Sequence, residues 1–104
     1  MKRALIYVNN QLAGELQEVK PHNSYRVVYS PNYKGPSISL EMPTSQSSYE
    51  FDRFPPFFEG LLPEGMMLDA LLRQSKTDRN DLMSQLLIVG HDLVGNVTVI
   101  EAKE

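Results

Sequence analysis

Short apolar runs and period-two alternation mark the first half of this chain, and a helical period comes in only in the second. Arg3 to Val8 is nearly continuously apolar through Ala4, Leu5, Ile6, Tyr7 and Val8, the pattern of a strand covered on both faces. Asn9-Asn10 tolerates positive φ and predicts a hairpin corner. Leu12 to Val19 returns as a second strand, with Leu12 and Leu16 on one side and Glu15 and Gln17 on the other; Gly14 in its middle predicts a bulge or a close backbone approach. Tyr25, Val27 and Tyr29 alternate with Arg26 and Ser30 as a third strand. The cleanest alternation runs from Ser37 to Met42, with Ile38, Leu40 and Met42 inward, and predicts a fourth strand antiparallel to the third. Pro43 to Ser48 is expected to be a polar loop.

From Phe51 the pattern changes. Phe51 to Leu72 gathers aromatics, three prolines, two glycines and a Met pair. Pro55-Pro56 suits the first turn of a helix, so one short helical turn is expected through Phe57, Phe58 and Glu59. Pro63 to Gln74 reads as a helix with Met67, Ala70, Leu71 and Gln74 on one face and Glu64 at its start, where negative charge is favoured. Thr77 or Asp78 is expected to cap the next helix, whose stripe of Leu82, Leu86 and Val89 is widened by Met83 and Leu87. Gly90 ends it, and Val94 to Glu101 closes as a final strand. These elements make one α+β domain over residues 1–104: a small, strongly bent antiparallel sheet of about five strands with two main helices packed against it.

The length of 104 residues is enough for one core and leaves little room for a second domain. A net charge of −3, with the ten Lys and Arg scattered along the chain, argues against direct contact with nucleic acid. The chain has no cysteine, which removes disulfides, thiolate nucleophiles and Cys-type zinc sites. The apolar run at the start is short and interrupted by the Asn pair, a poor signal peptide and far from a membrane span, so the expected location is the cytoplasm.

Catalytic signals are thin. Gly-rich phosphate loops and the HRD and DFG motifs of protein kinases are absent. His91-Asp92 could form an oriented base, but no nucleophile is tied to it, and a turn or surface role fits better; His22 reads as surface. The two histidines lack any metal-ligand spacing, and no metal or other cofactor is expected. Asp52, Glu59, Glu64 and Asp69 could hold an acid/base pair but read better as a solvated acidic rim around an apolar patch. Tyr29 and Tyr33 near Lys34 could stack bases, though packing across the sheet suits the acidic balance better. No catalytic residue is assigned.

What remains is a surplus of apolar groups. Phe57, Phe58, Leu61, Leu62, Met66, Met67 and Leu68 are too many for one side of two short helices. Phe58, Leu61, Met67 and Leu71 are expected in the core. Met66 lies off their stripe beside Gly65, where an adaptable side chain suits a contact surface, and the residues alone leave it between core and contact.

Three blocks carry a resemblance: YVNNQLAGEL, the central FxxFFEGLLPEG, and DLMSQLL with the following Gly90, Asp92, Val94, Gly95 and Val97. In that order, from about Leu5 to Ile100, they resemble the N-terminal subdomain of HipA-type serine/threonine kinase toxins. A free-standing copy of this subdomain resembles the small HipS antitoxins of tripartite HipBST modules. The resemblance implies a non-enzymatic protein that binds and inhibits a HipA-like kinase, HipT, in a complex that also holds the DNA-binding protein HipB. It implies a partner-binding surface of Phe57, Glu64, Gly65, Met66 and Leu68. The family commonly has Trp after LPEG, and in HipS that Trp is taken to plug the kinase active site; here the position is Met66 and the chain has no Trp. Either Met66 fills the site with less buried area or inhibition works by blocking a movement or a substrate surface. A detached subdomain that completes a split kinase is the alternative.

Overall fold

The computed structural model describes residues 1–93 and 95–102. Val94, where the final strand is predicted to begin, lies outside them, as do Lys103 and Glu104. One sheet of five strands, in the order β4-β3-β2-β1-β5, carries the fold. Strands β1 (Arg3–Val8), β2 (Gln11–Lys20), β3 (Ser24–Tyr29) and β4 (Ser48–Phe51) form an antiparallel meander. Helices α1 (Pro56–Glu59), α2 (Gly65–Ser75) and α3 (Leu82–Val89) follow, then a 3-10 turn at Gly90–Asp92. β5 (Val97–Glu101) returns to pair antiparallel with β1 at the other edge.

The Asn pair makes the β1–β2 corner as expected, with Asn9 and Asn10 at φ 51° and 67°, the left-handed geometry of a two-residue hairpin loop. The register shifts just beyond it, between Ile6 and Tyr7, so that Ile6 opposes Gly14 but Tyr7 opposes Leu12. Ala13 is the extra residue of this bulge. It turns Leu12 to the outer face, away from Leu16, which corrects the expectation that the two share a side. Gly14 lies so close to β3 that a Cβ there would be 2.3 Å from the Val28 carbonyl oxygen.

The sheet is covered on one face only. Ala4, Ile6 and Val8 are buried while Arg3, Leu5 and Tyr7 between them stay half-exposed, so β1 is not covered on both faces as its continuous apolar run suggests. The inner face of Ile6, Leu16, Val27 and Val99 packs against Phe58, Met83 and Leu86, all buried. On the outer face Arg3 and Glu15 pair at 3.2 Å.

The predicted fourth strand is the largest departure. Ser37 to Met42 forms turns with a single bridge between Ser39 and Met42, and the strand beside β3 is Ser48–Phe51, within and after the segment expected to be a polar loop. Its alternation is satisfied another way. The Tyr29 hydroxyl accepts from the Ile38 amide at 2.8 Å and donates to the Met42 carbonyl. That clamp turns Ile38 and Met42 inward and leaves Leu40, at the tip, 96% exposed.

The helical half also shifts. Asp81, rather than Thr77 or Asp78, caps α3, its carboxylate accepting from the Ser84 amide at 3.1 Å. Gly90 follows α3 in right-handed conformation, φ −59°, so it is not a left-handed stop signal. Its role is space: a Cβ there would be 2.3 Å from the Val99 carbonyl oxygen, which lets the 3-10 turn lie against β5.

Two outcomes test these contacts. Tyr29→Phe strands a buried amide and a buried carbonyl, so it should lower the unfolding free energy by about 1–3 kcal/mol in urea titration. A neutral substitution would show that the clamp does not hold the 37–42 segment. For Asp81, burial alone would raise the carboxyl, but the Ser84 hydroxyl and amide and the Lys2 ammonium outweigh it and hold it below 3.8. The charged form is therefore favoured by folding. Its contribution is complete above the unfolded value and is lost as pH falls through the lower folded one. Asp81→Ala should cost about 1 kcal/mol at neutral pH. The difference from wild type should shrink in unfolding curves taken below pH 3.8.

Candidate functional site

The surplus apolar stretch is fixed at its start by an aromatic contact. Phe54 packs edge-on against Tyr25 of β3, with ring centroids 5.3 Å apart and planes at 90°. The Tyr25 hydroxyl donates to the buried Glu18 carboxylate at 3.2 Å, and burial together with that charge pushes its pKa up to about 12. Pro55, extended at φ −58° and ψ 128°, then starts α1, with Pro56 at the first helical position. Phe58 enters the core, and Phe57 packs edge-on against it at 5.1 Å. Phe57 stays half-buried and faces a cavity of about 280 Å³ shared with Ser39, Met42, Phe51 and the two prolines.

Leu62 is buried, and after Pro63 the chain leaves the core. Glu64 precedes α2 in extended conformation, φ −129° and ψ 167°, and its side chain caps nothing. Gly65 opens the helix at φ 59°, in the left-handed region that penalises any side chain, which gives the glycine after Pro63-Glu64 its physical reason.

α2 buries none of its residues. Met66 is 87% exposed and Met67 75% exposed. The expectation of Met67 in the core is thus overturned: α1 and α3 already cover the inner sheet face, and α2 lies beside them. Leu61 and Leu71 are half-buried, whereas Phe58 is in the core as expected. Behind α2 runs a groove of about 580 Å³, walled by Met67, Ala70 and Leu71 on one side and by Leu61, Val89 and Leu93 on the other.

The far end of α2 is tied down by polar contacts. Lys76 closes it in left-handed conformation, and Arg79 reaches back to Asp69 at 2.6 Å, an exposed pair worth about 1 kcal/mol or less. Gln85, which no sequence motif singles out, is buried on α3 and donates to the Asp78 and Arg79 carbonyl oxygens at 3.1 and 3.0 Å. A Gln between the apolar Met83 and Leu86 is the one signal the sequence offers for it. His22, read as surface, is exposed, with Nδ1 3.0 Å from the Asn80 carbonyl oxygen.

The five residues expected at the contact surface are divided between α1 and the first turns of α2. Glu64, Gly65 and Met66 stand together, exposed, at the start of α2, with Leu68 half-buried further along it. Phe57 faces the separate cavity, and none of the five lines the groove behind α2. Asp52, Glu59, Glu64 and Asp69 are all exposed, as a solvated rim would be. Tyr29 and Tyr33 stack on each other, centroids 6.0 Å apart, with Tyr29 buried. His91 and Asp92 lie exposed in the 3-10 turn. Among the described residues no cluster of acidic or histidine side chains could hold a metal, and no helix is long and apolar enough to cross a membrane.

Comparison with known proteins gives the same unit. A Haemophilus influenzae protein described as uncharacterized is 29% identical over 99 residues, 95% of this chain and 92% of that relative. A solved structure of the "N-terminal domain of HipA toxin" superposes with a TM-score of 0.77 at 25% identity, covering 100% of this chain and 95% of that one. The model of the HipA N-terminal domain matches residues 4–100, and the chain belongs to that family.

Proposed function

We propose that this chain is an antitoxin of the HipS type, which binds a HipA-like serine/threonine kinase and holds it inactive by contact, with no catalysis of its own. The observation that carries this is the pair Met66 and Met67, exposed at the start of a helix that buries none of its residues. Fully covering a Met side chain is worth about 1.5–3 kcal/mol, so two neighbouring ones are a strong anchor for whatever covers them. The contact centres on Glu64, Gly65 and Met66, with Leu68 behind them. Phe57 takes part through its own cavity. Met66 stands where the family commonly has Trp and serves as a smaller, more adaptable anchor. The net charge of −3 suits a protein partner, and a HipB-like protein supplies any DNA contact of the resulting cytoplasmic complex.

A second reading is favoured by the solved relative, whose matching unit belongs to a toxin rather than an antitoxin. On that reading the chain completes a split kinase. The two roles have opposite signs: added chain lowers kinase activity in the first and raises it in the second.

Co-expression with a HipA-like kinase, scoring growth and pull-down together, decides between them. Rescue of growth with a stable complex is the expected result. Met66→Asp should unfold within about 0.5 kcal/mol of wild type, because the side chain is exposed, yet lose rescue and weaken capture by at least about tenfold. Full neutralisation by that variant would remove Met66 from the mechanism.

A further inference from the structure

The five methionines fall into two groups that differ sharply in access to solvent. Met42 and Met83 are 2% and 0% exposed, held between the sheet and the segments over it. Met66 and Met67 are 87% and 75% exposed and adjacent on the first turn of α2. Met1, at 67%, is the third accessible thioether. The chain has no cysteine, so no thiol of its own competes for an oxidant.

From this we infer that Met66 and Met67 form an oxidation site at which a peroxide-class or hypohalous oxidant, acting on the free protein, reversibly blocks capture of the partner. The inference rests on the contact role proposed above. In each step the thioether sulfur gives two electrons to the oxidant and takes one oxygen atom. Hydrogen peroxide leaves as water, or hypochlorite as chloride, and the methionine becomes its sulfoxide. The product is a strong dipole that needs hydrogen bonds, on a side chain whose use is apolar contact. In free protein the change is harmless, because both side chains already stand in water. Against a partner it leaves two polar groups to be buried without hydrogen bonds. Sulfoxide reductases reverse it. The same chemistry at Met42 or Met83 would disrupt the core, but those sulfurs are covered.

The test takes the whole protein through a hydrogen peroxide titration with two independent readouts. Peptide mass mapping should show oxygen added to the Met66–Met67 peptide and to Met1 well before Met42 or Met83, with the circular dichroism unchanged. Capture of the HipA-like kinase should fall about tenfold on oxidation and return after sulfoxide reductase. The Met66→Leu/Met67→Leu double variant, compared with its own untreated form, should show no such fall, although Met1 still oxidises. Equal rates at buried and exposed methionines would overturn the site. Full oxidation at both positions with capture unchanged would overturn the switch. Should untreated protein capture no kinase, the contact role fails and the switch falls with it, while the mass map still decides the site separately.

Discussion

A sheet with one covered face needs a limited amount of apolar surface laid over it, and here the segments on either side of α2 supply it without α2. Phe54, Phe58 and Leu62 arrive from the α1 side and Met83 and Leu86 from α3, and they share one buried core with the inner face of β1, β2, β3 and β5. α2 lies between these two segments in sequence but has no area left to cover. Its Leu71 and Leu72 are half-buried, its methionines face water, and a groove opens behind it. The position of the exposed Met pair follows from this shortage.

The devices that set α1 and α3 in place are mostly close approaches and hydrogen bonds rather than added apolar bulk. The Tyr25–Phe54 contact fixes where the chain leaves β4, and Pro55 fixes the direction in which α1 begins. Gly90 brings the end of α3 against β5, and Gln85 holds the preceding loop through two backbone carbonyls. Buried polar groups such as Gln85 and Glu18 are costly unless bonded, and both are bonded here. The result is a packed body with α2 lying outside its core and joined to it at the far end by polar contacts.

Much of the body is legible in the sequence because its signals are local. The Asn9-Asn10 corner, the tight fit at Gly14, the alternation of β3, the turn at Phe57–Glu59 and the stripe of α3 each depend on a few neighbouring residues. The misreadings have non-local causes. Ile38 and Met42 point inward as a strand's residues would, but the partner that turns them is the side-chain hydroxyl of Tyr29, 9 and 13 residues earlier in the chain, rather than a strand backbone. Ser48–Phe51 is too short to show a period, and only its place beside β3 makes it a strand. At the candidate site, the residues alone leave Met66 between core and contact and put Met67 on the wrong side. Their spacing says which face of a helix they share, whereas their exposure depends on how much sheet other segments have already covered.

The order of strands has a consequence for how such a chain is made. Ala4 lies opposite Glu101 and Val8 opposite Val97, so the first strand completes its hydrogen bonding only with the fifth. The β1–β4 meander can form as each hairpin emerges, but the outer edge of β1 then stays bare until everything through Glu101 has left the ribosome. A bare edge is a template for pairing with another chain. Docking of β5 covers that edge of β1 and leaves β4 and β5 as the two edges of the finished sheet.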